Sequence, residues 1–240
     1  KKLNLDLRIN GKLWSKYQVI DSPRTIKSFS ARLNGPLNGG EGKFSLLNVP
    51  FSLLTLLVPI PSSLKGMFGL SGKYRFGNNN PEVTADLVLE KAKLAESSLT
   101  LARGKFILNN SFLEIDAGLR DSNSTESIQV IGKIPISTSS QIDLRIESHG
   151  DGLNFLSGLS NGLFTLENGN SDLRLLISGT FKSPEFNGFI VMNDCEFNIM
   201  EKTFVDLNTS LIFDFDRIEV QRLNARIGKN GLLIGEGSIG

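Results

Sequence analysis

Pro81-Glu82-Val83-Thr84-Ala85-Asp86-Leu87-Val88-Leu89 decides the fold: Val83, Ala85, Leu87 and Leu89 alternate with Thr84, Asp86 and Val88, the period of two that writes a strand. The stretch belongs to a block, 48–93, that returns as 151–196. Leu53, Leu54, Leu56 and Leu57, then Gly72, then Pro81 with Glu82 correspond to Leu153, Phe155, Leu156 and Leu159, then Leu175, then Pro184 with Glu185. The two prolines are 103 residues apart, and the same offset carries Leu53 onto Leu156 and Gly132 onto Gly235. A repeat built from short alternating runs signals a modular β architecture, with function to be sought on the surface the modules build together. The expected modules are 1–132, with its repeat core at 31–132, and 133–240, continuous with the first.

The same alternation recurs along the chain. Leu3, Leu5, Leu7 and Ile9 interleave with Asn4, Asp6 and Arg8; Leu113, Ile115, Ala117 and Leu119 with Glu114, Asp116 and Gly118; Ile142, Leu144 and Ile146 with Asp143 and Arg145; Leu211, Phe213 and Phe215 with Ile212 and Asp214. Turn signals such as Asn34-Gly35-Pro36, Asn38-Gly39-Gly40, Asn161-Gly162, Asn168-Gly169-Asn170 and Lys229-Asn230-Gly231 separate the runs and favour antiparallel hairpins. Long helical patterns between strands are absent, which disfavours a parallel α/β fold. Two leucine-rich stretches, 51–58 and 153–159, break the alternation at equivalent places and read as one or two turns of enclosed helix. Glu90 to Glu96 has helical propensity, but the repeat aligns it with Asn193 to Ile199 and predicts a hairpin there.

Composition narrows the function. With 26 basic and 25 acidic residues the net charge is +1, so nothing draws in phosphate backbones over long range and nucleic acid is not an expected partner. One cysteine, Cys195, allows neither an internal disulfide nor a thiolate zinc cluster. The longest apolar run, Val49 to Ile60, falls short of the roughly 20 residues a membrane helix needs. The chain starts at Lys1-Lys2 and stops inside a strand-like pattern, so it reads as a piece of a longer protein whose targeting or anchoring segments lie elsewhere.

Chemistry-bearing constellations are scarce. The single histidine, His149, sits in Glu147-Ser148-His149-Gly150-Asp151 and reads as a solvated turn residue, with no second histidine for catalysis or metal binding. Asp214 and Asp216, two apart in an apparent strand, could share a face for acid–base work, but nothing else converges on them. Gly235-Glu236-Gly237-Ser238-Ile239-Gly240 matches the dinucleotide fingerprint, yet no helix follows to hold a pyrophosphate. The residues therefore predict no enzyme, no metal and no cofactor; what remains is the apolar face of the sheet, which must be covered, folded over, or left for an apolar ligand.

Several strings resemble the TamB proteins and their chloroplast relative, within the AsmA-like group of bridge-like lipid transfer proteins. They are Asn48-Val49-Pro50-Phe51-Ser52-Leu53-Leu54, the Gly-x-Tyr-x-Phe-Gly-x-x-x-Pro run from Gly72 to Pro81, Ser178-Gly179-Thr180-Phe181-Lys182-Ser183-Pro184-Glu185-Phe186-Asn187-Gly188, and the closing stretch from Arg217 through Gly237. The first repeat departs from the pattern at Gly77 and the three asparagines after it. The resemblance implies an all-β, elongated antiparallel β-taco: a curved, U-shaped sheet with an apolar groove and one or two short helical turns. It implies that the groove conducts phospholipid or other acyl chains between inner and outer membranes, or aids outer-membrane assembly. It also implies a periplasmic or cell-envelope location with an inner-membrane anchor in the full-length protein, or the chloroplast intermembrane space, and an Omp85-type barrel as partner of regions outside this chain. The expected groove lining is Leu5, Leu7, Leu87, Leu89, Leu144, Ile146, Leu175, Ile177, Phe213 and Phe215. The competing expectation is a structural or adhesive β-solenoid with a closed core, where repeats supply length and rigidity alone.

Overall fold

In the computed structural model, which describes residues 4–11, 29–36, 39–52, 63–77, 81–95, 97–154, 157, 164–199, 202–228 and 231–240, the chain forms one antiparallel sheet of 14 strands whose spatial order is the chain order. The strands are β1 (Asn4–Gly11), β2 (Phe29–Pro36), β3 (Gly40–Pro50), β4 (Leu64–Phe76), β5 (Glu82–Leu94), β6 (Ser97–Asn109) and β7 (Phe112–Asp121). They continue as β8 (Ile128–Pro135), β9 (Asp143–Gly150), β10 (Phe164–Thr180), β11 (Ser183–Ile199), β12 (Lys202–Phe215), β13 (Arg217–Ile227) and β14 (Gly231–Ile239). Each strand packs mainly on its chain neighbours, and β1 does not return to β14, so the sheet is an open meander and not a barrel. At about 4.8 Å between strands it extends on the order of 60 Å.

Bulges curve it. Ladders shift register between Leu46 and Val49 on β3, Glu90 and Lys93 on β5, Leu101 and Arg103 on β6, and Val220 and Leu223 on β13, with further shifts on β10, β11 and β12. Each extra residue bends and over-twists its strand.

The repeat is written into the pairing. Phe68↔Leu89, Leu70↔Leu87, Gly72↔Ala85 and Tyr74↔Val83 of β4 and β5 recur 103 residues later as Ser171↔Met192, Leu173↔Ile190, Leu175↔Gly188 and Ile177↔Phe186 of β10 and β11. The bulge recurs too: Gly66 (φ 108) faces Lys91 (φ 49) in the first copy, and Gly169 (φ 128) faces Asp194 (φ 50) in the second. Both glycines are required. A Cβ on Gly66 would stand 2.5 Å from the Lys91 carbonyl oxygen, and one on Gly169 would collide with the Cys195 side chain. Gly169→Ala is therefore expected to destabilise the protein by about 1–3 kcal/mol, read as a lowered urea midpoint with an unchanged slope.

Three expectations are corrected. Asn168-Gly169-Asn170 is not a turn but the bulge inside β10, because Gly169 supplies the backbone conformation that keeps the strand going past Cys195. His149 lies within β9, not in a turn, since β10 extends to pair Asp172 with it. Asp216 is the turn residue between β12 and β13, so it does not share a strand face with Asp214, which pairs with Arg217. Of the two leucine-rich stretches, Phe51–Ser52 forms the start of a short helical turn and 151–154 a turn ending in one; 53–60 and most of 155–163 lie outside the described residues. The segment Glu90 to Leu94 is strand, followed by the hairpin into β6.

Candidate functional site

Residues paired across a ladder point to the same face, so the register sorts every side chain. One cross-strand row runs Leu33, Phe44, Gly72, Ala85, Phe106, Ile115, Gly132, Leu144, Ile177, Phe186, Phe215. Two residues further along the strands a parallel row runs Ala31, Leu46, Leu70, Leu87, then Ala117, Val130, Ile146, Leu175, Gly188, Phe213, Ile218, Ile239. A third includes Val49, Phe68, Leu89, then Leu101, Leu119, then Leu173, Ile190, Leu211, Val220. None of these positions carries a charge, so one face of the sheet is apolar from β2 to β13. The opposite face reads Arg32, Ser45, Ser71, Asp86, Lys105, Asp116, Ile131, Arg145, Leu176, Asn187, Asp214, Arg217 along its matching row.

Among the described residues the apolar face is packed shut along one rim. There, at the ends of β4 and β5, Phe51, Phe68, Ala92, Leu94 and Leu99 form a buried cluster, with the Phe51 and Phe68 rings 5.6 Å apart. Further along the same rim Leu153, Leu166, Leu173, Cys195, Phe197, Leu207 and Ala225 form a second, with Phe197 stacked on Phe204 at 4.6 Å. Ile128 touches both clusters and links them. Phe51 and Leu153 come from the two short segments that break the alternation, so these segments cap the rim. Burial pushes the Cys195 thiol above its ordinary value, in keeping with a packing role.

Away from this rim most apolar side chains are half-buried, Tyr74, Ala85 and Ile142 being the buried exceptions, with no second layer of strands on them among the described residues. Leu144, Ile177 and Phe213 are in this class; Leu87 and Leu89, also half-buried, pack against the first cluster, and Ile146 and Leu175 against the second. Phe215 shares their face but stands 53% exposed at the end of β12 with φ 59. Leu5 and Leu7 occupy β1 opposite Gly35 and Leu33, which continues the rows; their side chains lie outside the described residues. Tyr74 is 3% exposed with its ring over Gly42 and against Phe76, and its hydroxyl is a buried polar group with no hydrogen-bond partner.

Asp151 anchors the capped rim. Its carboxylate accepts hydrogen bonds from the backbone N–H of Thr125 (2.9 Å) and of Glu126 (2.9 Å) and from the Thr125 hydroxyl, tying the β7–β8 loop to the turn that carries Leu153. Burial alone would raise its pKa, but these donors outweigh it and hold the carboxyl below its ordinary value. The sign follows: a depressed carboxyl stabilises the fold at neutral pH, and that contribution disappears as pH falls through the folded-state value. Asp151→Asn is expected to lose stability at neutral pH and to show a flatter fall under acid than the parent, read by urea midpoints across the acid range.

The outer face carries exposed ion pairs, Arg103–Asp116 at 2.8 Å and Lys133–Glu114 at 3.3 Å, and a His149–Asp172 contact at 3.0 Å; they solvate the sheet, and each ion pair contributes at most about 1 kcal/mol. Among the described residues no group of acidic, histidine or cysteine side chains is placed to hold a metal ion. Sequence reasoning did not locate which rim the two leucine-rich segments cap, and it left out the inner-facing residues Phe44, Phe106 and Phe186. Their signal was present, since each lies in an alternating run. No protein-family model, no curated protein and no solved structure matches the chain.

Proposed function

We propose that the chain is a segment of a bridge-like lipid transfer protein, in which the apolar face forms a groove that conducts phospholipid acyl chains. The observation that carries this reading is the uncharged inner face continuing across a dozen strands while, among the described residues, one rim is packed shut. Each methylene moved from water onto such a face gains about 0.8 kcal/mol, and successive rows offer equivalent environments, so a chain can slide along the row direction without a dedicated headgroup site. No reaction is required. The proposed setting is the space between two membranes of a cell envelope or chloroplast, with anchoring segments and any outer-membrane barrel contact outside this chain.

The structural alternative, a rigid repeat with a closed core, draws on the two packed clusters. It requires the remaining apolar face to be covered by protein. Mass spectrometry on protein purified without detergent separates the two: copurified phospholipid is expected, and its absence, together with failure to take up lipid from vesicles, would leave the structural reading.

A further inference from the structure

Where the β7–β8 loop, the turn after β9 and the first residues of β10 meet at the capped rim, they border a cavity of about 410 Å³. Its lining is polar although the clusters beside it are apolar. Asp121 and Ser124 line it while only 7% and 6% exposed. The Ser124 hydroxyl donates to the Asp151 carbonyl at 3.2 Å, and one Asp121 oxygen accepts the Asn123 N–H at 2.8 Å. The other Asp121 oxygen has no hydrogen-bond partner among the described residues, although the side chain is more than nine-tenths buried. The side-chain polar groups of Ser97, Asn123, Asn154, Thr165 and Asn168 line the same cavity and likewise have no partner among the described residues. The fold does not impose this polarity. Asn154 and Glu167 lie 103 residues after Phe51 and Leu64, which pack in the apolar cluster of the first repeat. One architecture therefore accepts a packed core at this place, and the second repeat keeps a polar cavity there instead.

We infer that this cavity is a binding site for a neutral polyhydroxylated ring, a hexopyranose, a role independent of whether the groove conducts lipid. The donor and acceptor supply selects that ligand. Amides and hydroxyls offer both, as sugar hydroxyls do, and the unpaired oxygen of the buried carboxylate accepts from a hydroxyl. Asp121, Asp151 and Glu167 line the cavity and no cation does among the described residues, so phosphates and carboxylates are repelled. An ammonium ion carries donors alone and would leave the amide N–H groups facing it unpaired. Metal ions are not held, since no group of acidic, histidine or cysteine side chains among the described residues is placed to do so. Leu166, 7% exposed, supplies an apolar patch for the C–H face of a ring, and the volume lies within the usual range of small-ligand pockets. A free saccharide and a glycolipid headgroup present the same ring, and the test separates them.

The whole chain, isotope-labelled for NMR, is titrated with glucose and with galactose, and with ethanolamine and inorganic phosphate as controls. In parallel it is sedimented with phosphatidylcholine vesicles that contain or lack monogalactosyl and monoglucosyl diacylglycerol. Saturable shifts of the Asn123, Asn154 and Asn168 side-chain amide signals are expected with a hexose, or cosedimentation with the glycolipid vesicles alone; the first assigns a free saccharide and the second a headgroup. Asp121→Asn, which keeps an acceptor for the Asn123 N–H, is expected to weaken either interaction by at least about tenfold. Asn154→Phe with Glu167→Leu brings in the residues of the first repeat and is expected to fold, by circular dichroism, and to abolish binding. If the double variant does not fold, Asp121→Asn decides by the same criterion. No response to either sugar source, a response to ethanolamine or phosphate in place of sugar, or unchanged affinity in the folded variants would overturn the site and leave the groove reading untouched.

Discussion

Leu144→Asp is expected to abolish lipid passage while Asp143→Arg, one residue away, leaves it intact. Leu144 lies mid-row between Gly132 and Ile177 on the apolar face, whereas Asp143 is exposed on the other. A carboxylate in the row brings water with it, and any acyl chain crossing that point must leave its apolar contacts. A penalty of about 3 kcal/mol corresponds to roughly a 100-fold loss in transfer rate. Phe213→Arg should act in the same direction but less strongly, since a long side chain can swing its charge outward, and Asp214→Arg is its outward control. Transfer between vesicles, with protease resistance to verify folding, reads the result. Folded inward variants that transfer lipid as well as the outward ones would remove the groove reading.

Phe197→Ala is expected to cost about 3–5 kcal/mol, the largest effect on stability of a single truncation in this fold. Phe197 is 5% exposed, stacked on Phe204 and enclosed by Leu153, Leu166, Cys195 and Leu207. Because strands contact chiefly their chain neighbours, the damage should stay local. Hydrogen exchange should accelerate in β10 to β13 and remain near parental values in β3 to β5, where the other cluster is intact. Uniform acceleration along the sheet would show a single cooperative core.

The strands were legible because alternation at period two is a direct consequence of having one apolar and one solvated face, and their antiparallel pairing because turn signals separate them. The curvature was legible as well but in a different code: the parity of the apolar residues. On β5 the inner residues run Val83, Ala85, Leu87 and Leu89, then switch to Ala92 and Leu94; on β6 they run Leu99 and Leu101, then switch to Phe106. Each switch is one inserted residue, hence one bulge. At Glu90 to Glu96 propensity alone points the wrong way, since Lys and Ala favour helix while the strand is held by pairing to β4; the repeat, which predicts a hairpin there, overrides it. The capped rim was only half visible, because the sequence shows that Phe51 and Leu153 leave the alternation but not which edge of the sheet they return to.

Strict chain-order pairing has a consequence for size. A closed barrel or a layered core fixes its number of strands, since adding a hairpin changes every diameter and every packing distance. An open meander obeys no such constraint: a hairpin spliced in anywhere pairs with its two new neighbours and shifts everything beyond it by about 9.6 Å. The sheet is thus a ruler graduated in hairpins, and its reach can be matched to any gap by counting strands, with no residue elsewhere needing to change.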